Sequence, residues 1–477
     1  MFVFDERTTD LVLDYCRERL ALDPVPLDYG GYATDWSGLL DGLIGSAGND
    51  PGKVLDLFAE SLQTAVVSID SPRFLSFIPA APTKAALLFD MVVSSCSLNG
   101  TSWLLAAGAV AAENQVLGLL AELAGLPPEA GGAFVSGGSA ANLSALLVAR
   151  DTALTGHGDE GGDEPVVGTR HGVSGPLRIA VSAEAHSSVT KAIHILGAEP
   201  WLVPTSDHRL TGESLAAALD ADDPSGAGPV VAVVATGGTT NAGIVDDLAG
   251  VGRVAHERGI WFHVDAAYGG GALFSPSARE LFSGIEQADS LVIDPHKWLF
   301  APYDCAALLY RDPTLAKAVH TQDAAYLSVF RTAPRPPGQP PAGGRGGGAE
   351  PWNPTDYAFQ LSRRSRGMPL WFSLAVHGTD AYRRAVEAAL ATARDAAALI
   401  RACPHTEVVR EPELSIVLFR RPGWTRDDYD EWSARLLADQ VALVVPTIWE
   451  GEPVARLAIL HPETTLDVVR QVLDSMG

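Results

Sequence analysis

The sequence predicts an α/β fold: a mostly parallel, seven-stranded sheet covered by helices on both faces, with a helical N-terminal segment and a small α+β domain at the C-terminus. Three observations predict it. Between about residues 71 and 310, helical stretches alternate with seven short β-rich runs. Those runs are apolar almost throughout, as strands buried on both faces are. From about residue 368, a long helical region is followed by short strands and a final helix, the pattern of a separate α+β unit.

Residues 1–70 carry short helical patterns, such as "TTDLVLDYCRERLAL" and "VLDLFAESLQTAVV", with no evident chemistry. The longest apolar region, "WLLAAGAVAAENQVLGLLAELAGL", is broken by Glu113, Asn114 and Glu122 and reads as an amphipathic core helix, not a membrane span. The seven strand candidates are "GAFVSGG", "LRIAVSA", "AEPWLVPT", "PVVAVVATGG", "IWFHVDAA", "SLVIDP" and "CAALLYRD". Two segments read as mobile loops: the Gly/Asp-rich 156–175 and the Pro/Gly-dominated 333–354. "PLWFSLAVHGTDAYRRAVEAALATARDAAALIRAC" reads as a long helical region, and "LSIVLFRR" and "RLAIL" as strands. The expected division is 1–70, 71–367 and 368–477.

The chain has 477 residues, 47% hydrophobic and 19% charged, with a net charge of −24. Such a charge repels nucleic acid and anionic membrane, so neither is an expected partner. Cys16, Cys96, Cys305 and Cys403 lie far apart with no CxxC pair, which predicts reduced thiols in a cytoplasm and no metal site. The first residues, "MFVFDERTTD", show no basic region before an apolar run, so no secretory signal is expected. Many Ala, Gly, Arg and Asp with few Lys suit a GC-rich bacterial genome.

In open α/β sheets, ligands gather at the carboxyl ends of strands, so the polar residues there are the candidates. In "FVSGGSAANLSALLVAR" a strand ends at Val135 and a glycine turn leads to a helix near Ala140. Free amides there, with the Ser136 and Ser139 hydroxyls, make a phosphate seat; a plain turn capped by Ser139 reads the same way. His186, in "SAEAHSSVTKAI", opens a helix, as a capping histidine also would. Thr239 and Thr240 end the most apolar strand, as turn residues do. Asp265, in "FHVDAAYGGG", ends a strand before two alanines. A carboxylate there needs a partner, and small neighbours leave room for a flat ligand; an aspartate capping a turn is the plainer reading.

Lys297, in "SLVIDPHKWLF", comes about one strand–helix–strand unit later and precedes Trp298, Leu299 and Phe300. It either snorkels or is buried for chemistry, where a lysine gives up its proton easily and becomes a nucleophile. A phosphate seat, a carboxylate, a ring-sized gap and a buried lysine are what pyridoxal 5'-phosphate needs. The lysine forms the Schiff base, and the carboxylate keeps the pyridine nitrogen protonated so that the ring accepts electrons. The alternative, a buried ion pair, leaves the phosphate seat unexplained.

Together these segments resemble the group II pyridoxal-phosphate decarboxylases, the family of aromatic amino acid, glutamate and histidine decarboxylases. "DSLVIDPHKWLFAPYDCAALL" is similar to that family's cofactor-lysine segment, and "SPRFLSFIP", "SGGSAANLSALLVAR", "AEAHSSVTKA", "GGTTNAG", "HVDAAYGG" and "QDAAYL" extend the likeness from about residue 70 to 370. The resemblance implies fold type I and a homodimer with active sites at the subunit interface. It implies that Lys297 is the Schiff-base lysine and that Asp265 pairs with the pyridine nitrogen. His186 then stacks on the ring and Ala267 packs on its other face. Gly138, Ser139 and His296 lie around the phosphate, with Asp294 nearby where relatives often carry asparagine, and Thr239 sits near the ring substituents. Tyr326 matches the tyrosine of a mobile loop that reprotonates the α-carbon, and Arg456 an arginine near the substrate carboxylate. Phe77, Ile78, Ala80 and Thr101 fall on the wall of the side-chain pocket.

The expected reaction is decarboxylation of an L-amino acid to its amine and CO2. No basic cluster for an acidic side chain is evident, which favours an aromatic or bulky apolar substrate. Two other readings stand beside it: decarboxylation coupled to oxidative deamination, yielding an aldehyde, and a catalytically silent fold that only binds the cofactor. Relatives with phenylalanine at the Tyr326 position tend to make aldehydes, so tyrosine favours the amine. An aminotransferase shares the fold but not the Asp-Pro-His-Lys-Trp context.

Overall fold

The computed structural model describes residues 2–28, 36–78, 81–156, 175–222, 228–332 and 351–477. The expected loops 156–175 and 333–354 lie mostly outside the described residues.

All seven runs form strands of one sheet: β1 (Gly131–Val135), β2 (Arg178–Val181), β3 (Glu199–Leu202), β4 (Val230–Thr236), β5 (Trp261–Asp265), β6 (Ser290–Ile293) and β7 (Ala306–Tyr310). Their order is β1-β7-β6-β5-β4-β2-β3. The pairs β6–β5, β5–β4, β4–β2 and β2–β3 are parallel, while β7 runs antiparallel to both β6 and β1. Gly132 is required at the β1–β7 contact, because a Cβ there would stand 1.9 Å from Leu308 O.

The helix Gly138–Gly156 lies along the sheet. Ala141, Ala145 and Val148 pack against Val135, Val292 and Leu308, and Leu146 and Ala149 against Ile179, Val181 and Val234. Alanines four residues apart share a helix face, and their small size brings the helix close to the strands. Because the central strands are parallel, their carboxyl ends meet at one edge. Thr236 stands beside Asp265, and Asp265 beside Val292, in register. The residues just past those ends build the site.

The helix Trp103–Leu123 buries Val110, Val116, Leu117 and Leu120. Its Glu113 is also buried and takes both guanidinium nitrogens of Arg363, at 2.8 and 3.0 Å. The region read as one long helix is two, Met368–His377 and Thr379–Ala402. Gly378 separates them at φ +75°, a backbone conformation that favours glycine at a helix end.

Compactness groups the chain into two units, rather than into 1–70, 71–367 and 368–477. One is residues 80–390, and the other joins residues 1–79 to 391–477. In the second, β8 (Glu407–Arg410), β9 (Ile416–Arg420), β10 (Thr447–Trp449) and β11 (Glu452–Ala458) form an antiparallel sheet in the order β10-β11-β9-β8. Its core packs Ile400, Val417, Phe419, Trp432, Leu457 and Val469 together with Leu75. Leu75 N–H donates to Leu443 O, and Ala458 N–H to Leu75 O. The end of the N-terminal segment is therefore bonded into the C-terminal fold.

Candidate active site

Residues from the ends of β1, β2, β4, β5 and β6 enclose a cavity of about 240 Å³. Of the residues singled out in the sequence, Gly138, Ser139, His186, Asp265, Ala267, Asp294, His296 and Lys297 all line it.

Lys297 sits on the short helix Pro295–Trp298, directly after β6. Its side chain is 21% exposed, and its Nζ stands 3.0 Å from Asp294 Oδ2, so it does not snorkel. Burial disfavours the ammonium, but the carboxylates of Asp294 and Asp265 outweigh it and raise the Lys297 pKa above its ordinary value. The easy proton loss expected of a buried lysine is therefore not found: two nearby negative charges favour the protonated form.

Asp294 Oδ2 also accepts the Gly138 N–H at 3.1 Å, so this amide of the expected phosphate seat is held by a carboxylate. Asp294 Oδ1 is buried with no hydrogen-bond partner among the described residues. A Cβ on Gly138 would lie 3.0 Å from Asp294 Oδ2 and 3.2 Å from the Ala267 methyl, so only glycine leaves this corner open.

His296 Nδ1 accepts the Cys305 N–H at 3.0 Å. Burial pushes its pKa down, against the pull of Asp294, and the neutral ring then carries its proton on Nε2. His186 both caps the helix Ser187–Ile195, through Nδ1 accepting Ser188 N–H, and lines the cavity. Asp265 ends β5, its Oδ1 accepting Ala267 N–H at 3.1 Å and its Oδ2 the Asn142 amide at 2.8 Å.

The other candidates lie elsewhere. Thr239 is turned into its loop, where its hydroxyl accepts Ile244 N–H at 3.1 Å; Thr240 lines the cavity instead. Thr101 is buried away from the cavity, its N–H and hydroxyl both donating to Asn99 Oδ1. Tyr326, 72% exposed, does not reach it. Phe77, Ile78 and Arg456 belong to the other compact unit. There Ile78 and Arg456 are buried, while Phe77 is 62% exposed at φ +54°, a costly backbone for a bulky residue. Ala80 lies outside the described residues.

Gly137, Asn142, Ser188, Thr236, Gly238 and Tyr268 complete the wall without having been singled out. Asn142 comes one helical turn after Gly138 and therefore shares its face. That spacing is visible in "GSAAN", but an uncharged amide gives no chemical signal on its own.

An amine, a carboxylate with two donors already placed, and an imidazole surround a slot walled by glycine and alanine. The Lys297 amine suits an aldehyde, the Asp265 carboxylate a basic ring nitrogen, and the Ser139 hydroxyl with the His296 Nε2–H a phosphate, so the set fits a flat ring bearing those three groups. Fold and cavity thus define a pyridoxal-phosphate enzyme of fold type I.

The comparisons with known proteins agree. The pyridoxal-dependent decarboxylase conserved domain matches residues 46–421. The aromatic-L-amino-acid decarboxylase of Bacillus atrophaeus is 30% identical over 438 residues, 89% of this chain and 85% of that protein. The L-2,4-diaminobutyrate decarboxylase of Rhizobium meliloti is 30% identical over 433 residues, 87% of this chain and 79% of that one. In fold, the solved Oryza sativa TDC with PLP and tryptamine superposes at a TM-score of 0.84 with 24% identity, covering 99% of this chain and all of that one. Mouse CSAD superposes at 0.82 with 25% identity, covering 98% and 96%. The chain belongs to the pyridoxal-dependent decarboxylase family. It is a lyase that removes the carboxyl group of an amino acid with pyridoxal phosphate as cofactor.

Proposed function

We propose that the substrate is an L-amino acid with an aromatic or bulky apolar side chain, released as its amine. The observation that carries this reading is the cavity's charge. Among its described lining residues, Lys297 is the one lysine or arginine, and it is already paired with Asp294. An acidic substrate side chain would find no counter-ion there. The likeness to an aromatic-L-amino-acid decarboxylase and to tryptophan decarboxylase 1 of Oryza sativa, at 30% identity, supports it.

When bound, pyridoxal phosphate supplies an electron sink for the pair released from the broken carbon–carbon bond. The chain's own residues do the rest. Lys297 binds the cofactor aldehyde through Nζ. Asp265 faces the ring nitrogen and holds its proton. His186 covers one ring face and Ala267 the other, excluding water. Ser139 and His296 hold the phosphate beside Gly138, whose own N–H stays on Asp294. The Tyr326 hydroxyl delivers the proton to the α-carbon.

The active form in this reading is a cytoplasmic homodimer with its sites at the subunit interface. The helices Glu6–Leu20 and Pro51–Leu57 bury no residue in their own chain, although Val12, Leu13 and Val54 are apolar and exposed. A second copy can cover such faces, and the exposed Tyr326 is free to meet the partner's site. The four cysteines are unpaired thiols.

The test incubates cofactor-loaded protein with pooled L-amino acids, hydroxylated aromatic ones included, and identifies products by mass spectrometry. An amine from an aromatic or bulky apolar amino acid supports the reading. An amine only from an acidic or basic amino acid overturns the substrate class, and an aldehyde without amine overturns the product. Light scattering at one protomer mass would remove the dimer.

A further inference from the structure

A line of buried hydrogen bonds runs to the cavity from a histidine that the chemistry above does not use. Trp261 Nε1 donates to Ser290 Oγ at 2.8 Å. Ser290 Oγ meets His263 Nδ1 at 2.7 Å, and His263 Nε2 meets Asn142 Oδ1 at 2.9 Å. The Asn142 amide nitrogen then divides its two hydrogens, one to Asp265 Oδ2 at 2.8 Å and one to Ser188 Oγ at 3.0 Å. Ser188 Oγ lies 2.8 Å from His186 Nδ1. Asn142 and His263 have no exposed surface.

Elementary chemistry fixes the direction of every bond. A carboxylate only accepts, so Asn142 must turn its NH2 toward Asp265 and its carbonyl toward His263. His263 Nε2 therefore carries a proton. Burial pushes the His263 pKa down to about 4, against the pull of Asp265, so the ring is neutral and its Nδ1 accepts the Ser290 O–H. An indole N–H only donates, which closes the line at Trp261. At the other end, the Ser188 N–H points at His186 Nδ1, so that nitrogen accepts from the Ser188 hydroxyl too.

We propose that Asn142 and His263 are positioning residues for bound pyridoxal phosphate. His263 fixes the orientation of the Asn142 amide. That one amide aims the Asp265 carboxylate at the ring nitrogen and, through Ser188, sets the His186 ring against the cofactor face. Without His263 the carbonyl side of the amide is unheld, the amide can tilt, and its N–H bond loosens, leaving Ala267 N–H as the remaining hold on the Asp265 carboxylate. This inference rests on the roles given above to Asp265 and His186.

The experiment uses the holoprotein and compares Asn142→Leu, His263→Leu, their double variant and His263→Gln, with Asp265→Asn as the reference. Two quantities are read: the dissociation constant of pyridoxal phosphate, and kcat and KM separately. Losing a hydrogen bond to a charged group predicts a cofactor dissociation constant raised roughly 10- to 100-fold in Asn142→Leu. His263→Leu moves the same way, with kcat lowered and KM within about twofold.

Because the two residues act in series, the double variant is expected to be no worse than Asn142→Leu alone. Glutamine at 263 keeps an N–H within reach of Asn142 Oδ1 and restores most of both quantities. Where His263→Leu does not fold, His263→Asn, polar but too short to reach Asn142, takes its place. Wild-type cofactor affinity in Asn142→Leu, additive losses in the double variant, or glutamine no better than leucine overturns the proposal. If Asp265→Asn itself leaves cofactor affinity and kcat unchanged, the role of Asp265 has failed instead.

Discussion

Lys297 Nζ and Asp294 Oδ2 form an ion pair of 3.0 Å in the wall of the cavity, and this pair sets when the lysine can react. Only the neutral amine attacks an aldehyde, and the Lys297 pKa is raised because two carboxylates outweigh its burial. Asp294→Asn removes one of those charges and keeps an oxygen for the Gly138 N–H. The sign follows: a lower lysine pKa gives more free amine at a given pH. The pH midpoint for cofactor capture by the cofactor-free protein is expected to fall by on the order of one unit, followed as the rate of appearance of the bound cofactor's visible absorption. An unmoved profile would separate Asp294 from Lys297.

Tyr326→Phe is expected to divert product from amine toward aldehyde with hydrogen peroxide. A lost proton donor costs roughly 100-fold or more in the step it serves, which leaves the α-carbon exposed to oxygen for longer. Mass spectrometry and a peroxide assay on one reaction read both products. Unchanged amine yield would take Tyr326 out of the mechanism.

His320 is buried, its Nε2 donating to Ser144 O at 3.3 Å, and burial pushes its pKa down to about 4 from an ordinary 6.5. As pH falls below 6.5, the unfolded chain takes up this proton and the folded chain does not. The stability His320 contributes is thus complete above pH 6.5 and lost progressively down to about pH 4. His320→Gln keeps a donor for Ser144 O without titrating. Its unfolding free energy is expected to fall by about 2 kcal/mol less than wild type between pH 6.5 and 4.5, measured by urea denaturation. Parallel curves would contradict the assignment.

Arg363→Met leaves Glu113 as a buried carboxylate whose one remaining donor is the Gly367 N–H at 2.8 Å. Stranding one member of a buried pair costs about 3–5 kcal/mol, read as a lowered denaturant midpoint. Glu113→Gln with Arg363→Met recovers much of that loss, because no unpaired charge remains. A single variant as stable as wild type would show that the pair is not buried in solution.

Much of the large sheet was legible because its strands, the exposed edge strand β3 apart, are buried on both faces. "VVAVVAT" can hardly be anything else between two turns, and each of the seven runs became a strand. The cavity residues that carry charge or a ring nitrogen were legible for the same local reason: Asp265 and Lys297 end strands that parallel pairing brings to one edge. What stayed hidden is relational. His263 and Asp265 share a face of β5 through the period of two, but nothing in "HVD" says that an asparagine more than a hundred residues earlier lies between them. Thr239 and Thr240 are indistinguishable until the turn decides which hydroxyl accepts the Ile244 N–H. The pairing that makes Lys297 hold its proton also depends on Asp294, which the sequence places near the lysine without showing how the two point.

The central claim is that Lys297 binds pyridoxal phosphate in the cavity between Asp265 and His186. The direct measurement is to reduce the cofactor-loaded protein with borohydride, digest it, and locate the cofactor by peptide mass spectrometry. The account predicts one modified peptide, carrying the pyridoxyl group on Lys297, and none in Lys297→Ala, which also loses the visible absorption and all turnover. A cofactor found on another lysine, or turnover that survives Lys297→Ala, would contradict it.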